Sequence, residues 1–169
     1  MKPLNLEGLL TLLRGDPHYR HLLQQAERIR EGAVECEGMP SLSLGLVEAA
    51  RSFLLAALQG DWPGPVLIIS GKPENARHLA DQVRAWLVDP LKVLNFHAPD
   101  AIFYDAMAWD QETVHSRVNI LAGLTHLRES RAPDAGHGTL IVTSVWALMA
   151  KSVPPTAFRR AMSVLRVGE

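Results

Sequence analysis

Gly45-Leu46-Val47-Glu48-Ala49-Ala50-Arg51-Ser52 has the spacing of a phosphate-binding loop, G-x-x-x-x-G-K-[ST]. Such a loop surrounds phosphates with backbone N–H groups at the start of a helix. Its lysine reaches the outer phosphates and its last hydroxyl holds magnesium. Gly45 and Ser52 keep their places here. Ala50 replaces the second glycine, and Arg51 replaces the lysine. Ala50 adds a methyl where the backbone needs room or a positive φ. Arg51 is a planar, forked cation rather than a compact ammonium. The octet has the frame of a nucleotide site without its working groups. Taken alone, an ordinary strand–turn–helix junction is the simpler reading.

The elements around it give that loop a context. Leu6, Leu9, Leu10 and Leu13 follow a helical period that ends at Gly15-Asp16-Pro17. A second helix is expected from Pro17 to Arg30, with Tyr19, Leu22, Leu23 and Ala26 on one face. Residues 1–35 are read as a helical appendage, and 36–169 as the main domain. Ser41–Leu44 is a strand candidate leading into Gly45, and 49–58 reads as a buried helix. Val66–Ile69 has the branched, apolar character of a strand buried on both faces. A helix with Ala76, Leu79, Val83 and Leu87 follows. Lys92–Phe96 is the next strand. Asp110 is placed to cap a long helix through Val114, Val118, Leu121, Leu124 and Leu127. Thr139–Thr143 is a further strand, followed by a short helix through Trp146 and Met149. Pro154-Pro155 interrupts, and Ser163–Val167 is a last strand candidate. This alternation predicts an α/β fold with a parallel sheet. Ligands in such folds bind beyond the carboxyl ends of the strands, where the Gly45 loop is expected.

Composition narrows the class. With 169 residues, 47% hydrophobic and 21% charged, the chain can fold around a core. A net charge of −1 argues against a strongly basic nucleic-acid module. Cys36 is the single cysteine, which excludes an intrachain disulfide and a cysteine-based zinc cluster. No apolar run is long enough to span a membrane, and the start is too polar for a signal peptide, so a cytoplasmic location is expected. The seven histidines (His18, His21, His78, His97, His115, His126 and His137) lack the converging spacing of a metal site. Asp110 and Glu112 read as helix-terminal acids rather than a catalytic pair. Ser144 lacks a nucleophile elbow. Lys151, Arg159, Arg160, Arg166 and Arg117 read as a solvated face rather than a phosphate-binding patch.

The stretch from Phe96 to Leu121 resembles, without a gap, the F-P-x-W-E-x-L-P-Y-D segment of transcription-repair coupling factors and of the excision-repair protein UvrB. Phe96, Asp100, Tyr104 and Asp105 fall on its aromatic and acidic positions, and Arg117 and Leu121 on the following helix. Thr139–Leu148 resembles the family's next strand and helix. Gly45, Leu46, Ala50, Arg51 and Ser52 match the family's degenerate loop, G-L-x-G-S-A-R-S. The departures are Glu48 and Ala49 in that loop, and Pro99, Phe103 and Ala108-Trp109 in the aromatic segment. No counterpart of UvrB's tyrosine-rich hairpin is present.

The resemblance covers residues 40–169 and implies a RecA-like first domain. It implies a parent protein that moves along DNA using ATP and magnesium, displaces stalled RNA polymerase and recruits UvrA. This chain would then be a non-catalytic scaffold with no cofactor of its own, its partners being the rest of the parent protein. UvrA, RNA polymerase and DNA would be engaged elsewhere in the parent. Two alternatives stay open: a small enzyme binding a nucleotide through Arg51 and Ser52, and a stand-alone α/β binding module.

Overall fold

The computed structural model describes residues 6–31, 41–99, 109–129 and 136–163. A 3₁₀ turn at Glu7–Leu9 leads into α1 (Leu10–Gly15) and α2 (Pro17–Arg30). Asp16 separates the two helices. Its carboxylate accepts from the N–H groups of His18 and Tyr19, and Pro17 occupies the first helical position. Then come α3 (Glu48–Asp61), β1 (Val66–Ser70), α4 (Pro73–Arg84), β2 (Val93–Phe96), α5 (Gln111–Glu129), β3 (Leu140–Ser144), α6 (Val145–Met149) and α7 (Pro155–Ala161). The three strands form one parallel sheet in the order β1-β3-β2. Val66 stands opposite Leu140, and Val93 stands opposite Leu140 from the other side.

Alternation along the strands builds a core on each face. Leu140, Val142, Val93, Val66 and Ile68 turn toward α3 and α4. Leu10 and Tyr19 are buried in that same cluster, so the first two helices pack into the main core. The Tyr19 hydroxyl donates to Asp61 at 2.9 Å, and Arg14 Nε donates to both oxygens of Asp61. Burial and this hydrogen bond push the Tyr19 pKa up. On the opposite face, Ile141, Phe96 and Leu94 pack against Ile120 and Leu121 of α5. Burying one such aliphatic side chain contributes about 2 kcal/mol.

The turn before β3 requires glycine. Gly136 and Gly138 have φ of 83° and 74°, in the left-handed region that other residues avoid. The Gly138 carbonyl accepts from the buried Gln59 side chain, fixing α3 to the start of β3.

Three expectations need correction. Ser41–Leu44 forms no strand: residues 41–47 are exposed and carry no ladder. Its leucines alternate with serines, but a strand exists only where a neighbour supplies hydrogen bonds. Val66–Ser70 is not buried on both faces, because Leu67 is 55% and Ile69 53% exposed. Pro154-Pro155 does not merely interrupt; Pro155 opens α7, since its fixed φ suits the first helical position. Val164–Val167 of the last strand candidate lie outside the described residues. Among the described residues, no helix is long and apolar enough to cross a membrane.

Candidate functional site

The carboxyl ends of parallel strands are where such folds gather chemistry. Here that place is organised by Arg117. It lies on α5 and is only 3% exposed. Its Nη1 donates to the carbonyl of His97, just past β2, at 2.9 Å, and to that of Ala147 in α6 at 3.1 Å. Nη2 donates to Ser152 Oγ at 2.9 Å. The guanidinium carbon lies 4.1 Å from the Phe96 ring centroid and 5.0 Å from that of Trp109. A planar cation between aromatic rings is held by their negative faces. Burial lowers the Arg117 pKa, yet a guanidinium stays charged in proteins. Its hydrogen-bond acceptors among the described residues are all neutral. One cation thus ties the end of β2, α5, α6 and the segment after α6 together.

The neighbouring groups are positioned from the same elements. Asp110 Oδ1 accepts from the N–H of Thr113 at 2.8 Å, which caps α5 and lowers the Asp110 pKa, as its place in the sequence predicts. The Ser144 hydroxyl accepts from Ala147 N–H at 3.2 Å and caps α6. His97 is half-buried, with Nε2 3.2 Å from Asn95 Nδ2. Burial first, and then the positive field of Arg77, holds its pKa below the ordinary histidine value. The cluster offers neutral imidazole, carboxylate and fixed positive charge. Among the described residues no group of three or more His, Cys, Asp or Glu converges to hold a metal.

Of the residues singled out in the sequence, Phe96 and Arg117 meet in this cluster. Asp100, Tyr104 and Asp105 lie outside the described residues. Arg117 is not part of a solvated basic face, because the stacking on Phe96 and Trp109 takes it inside. Arg159 and Arg160 are exposed on α7 with Thr156 beside them.

The Gly45–Ser52 octet lies elsewhere. Gly45 does not have a positive φ, and a Cβ there would meet nothing within 4 Å, so this position makes no use of glycine's freedom. Ala50 sits in the first turn of α3, and Arg51 is exposed. Ser52 is buried, and its hydroxyl accepts from Trp86 Nε1 at 3.2 Å. Phe53 packs on the Trp86 ring at 5.0 Å. Trp86 follows α4 and precedes β2, so it belongs to the amino side of the sheet. The first half of α3 therefore contacts the side of the sheet opposite Arg117. The expectation that the loop stands at the carboxyl end of a strand is corrected accordingly.

Trp109, Ser152 and the carbonyls of His97 and Ala147 were not legible as partners of Arg117. The one available signal was Trp109 itself, a large aromatic beside the α5 cap. No family model matches this sequence, and no curated protein and no solved structure matches it.

Proposed function

We propose that this chain is a non-catalytic, RecA-like scaffold domain of a transcription-repair coupling factor. The observation that carries the reading is the contact between Arg117 and Phe96. These two residues belong to the segment that resembles the family, and they lie 20 to 21 positions apart in the chain; the hydrogen bond from Arg117 to the adjacent His97 spans 20. Their packing gives that segment a structural purpose: it fixes the strand end from which a loop leaves and the helix to which it returns. In the parent protein, ATP and magnesium would be used by a separate motor. UvrA, RNA polymerase and DNA would be engaged by other domains, in the cytoplasm.

The Ser52 hydroxyl is occupied by Trp86, which favours the scaffold over a small nucleotide-binding enzyme using Arg51 and Ser52. Titration calorimetry with ATP and magnesium tests this. The scaffold gives no binding heat, before or after Arg51→Ala. Saturable binding with turnover, lost in Arg51→Ala, overturns it. Motor motifs in the reading frame following the Glu169 codon would support the parentage.

A further inference from the structure

The two edges of the sheet are finished differently. In a parallel ladder, alternate residues turn their main-chain groups to opposite neighbours. Val66 N–H donates to the Thr139 carbonyl at 2.9 Å, so Val66, Ile68 and Ser70 face β3. Leu67 and Ile69 therefore turn their N–H and C=O groups outward. On β2 the outward residues are Val93 and Asn95. Their carbonyls are taken up: Arg84 Nη2 donates to Val93 O at 2.9 Å, and Ser116 Oγ to Asn95 O at 2.8 Å. Among the described residues, no such cap or strand covers the outward edge of β1.

The β1 edge also lacks the devices that discourage pairing. Val66-Leu67-Ile68-Ile69-Ser70 has no charge, no proline and no bulge. Leu67 and Ile69, both more than half exposed, lie on the face that α5 covers only over the neighbouring strands.

We propose that this edge pairs with the same edge of a second copy of the chain. The two β1 strands run antiparallel about a two-fold axis at Ile68, and the sheets join. The outward groups dictate this register. Leu67 stands opposite the second copy's Ile69, and the two exchange both main-chain hydrogen bonds; the symmetric pair repeats them. The same register places an exposed leucine beside an exposed isoleucine across the junction. The strand opposes no charge to itself, and the chain's net charge of −1 gives two copies little mutual repulsion. The interface is isologous, and the capped β2 edges stop further growth, so the product is a closed dimer.

Light scattering after size exclusion, run on the full chain from micromolar to submillimolar concentration, tests this directly. The mass should double with concentration. Ile69→Lys should stay monomeric with an unchanged far-ultraviolet spectrum. A monomer at every concentration overturns the proposal, as does an Ile69→Lys variant that dimerises like the parent. A second readout does not depend on that variant folding. Amide exchange at Leu67 and Ile69 should slow as concentration rises. Protection that ignores concentration overturns the proposal and assigns the edge to a strand of the same chain. Finally, Ile68→Cys in a Cys36→Ser background should oxidise to a disulfide-linked dimer. Opposed residues at such a non-hydrogen-bonded site have Cα atoms about 4.5 Å apart, within disulfide reach. Failure to cross-link under oxidation overturns the register.

Discussion

The β2 side and the β1 side of this sheet are built from similar strands and end in opposite ways. Val93–Phe96 is flanked by α4 and α5, and both helices lend it side chains. Arg84 and Ser116 cap its outward carbonyls, and Arg117 secures its last turn through the His97 carbonyl. Val66–Ser70 is as apolar, but receives no such help along its outer edge among the described residues. Strand composition alone therefore does not decide whether an edge is closed. What decides it is whether a neighbouring helix carries a donor at the right turn.

The comparison can be broken most severely at Arg117. Replacing it with Met leaves the carbonyls of His97 and Ala147 without their donor. The expected loss is about 3 kcal/mol, since buried groups stranded without partners are costly. Urea unfolding measures it, and a loss below the size of one ordinary hydrogen bond would remove Arg117 from its organising role. Ser116→Ala is milder. It uncovers the Asn95 carbonyl and should cost about 1 kcal/mol. It should also make the β2 edge available for pairing, read as species larger than a dimer in sedimentation.

Acid offers a third approach to the closed side. His97 has a lowered pKa in the folded chain, so protons bind the unfolded chain more readily. The stability it contributes is present above the ordinary histidine value of about 6.5 and is lost as pH falls through and below it. His97→Gln should flatten that part of the stability profile relative to the parent chain; an unchanged profile would show that His97 is not the group responsible. The smallest effect belongs to the open side. Leu67→Thr exchanges an exposed side chain and should alter monomer stability by no more than about 0.5 kcal/mol. A larger loss, measured at a concentration where the chain is monomeric, would mean that β1 is covered after all.

Much of the fold was legible in the residues. The α1–α2 break at Gly15-Asp16-Pro17, the strands 66–70, 93–96 and 140–144, and the Asp110 cap all rest on local rules. Caps, prolines and branched apolar runs act within a few residues, so sequence displays them. Ser41–Leu44 shows the limit: it alternates like a strand, but no ladder partner reaches it. The site was less legible. Arg117 looked like a surface cation because its stabilisers, Trp109 and the carbonyls of His97 and Ala147, carry no spacing signal. Main-chain acceptors belong to every residue, and only the fold selects which ones converge.

The sequence by itself determined the alternation of helix and strand, and with it an α/β sheet of parallel strands. It also held a loop octet, Gly45–Ser52, whose spacing suggests phosphate. Only the tertiary structure decided where that octet goes. Ser52 gives its hydroxyl to Trp86 on the amino side of the sheet, while Arg117 gathers β2, α5 and α6 at the carboxyl side. The reason is physical. Local propensity fixes φ and ψ over a turn or two, whereas the partner of a buried hydroxyl or guanidinium is set by packing between segments far apart in the chain.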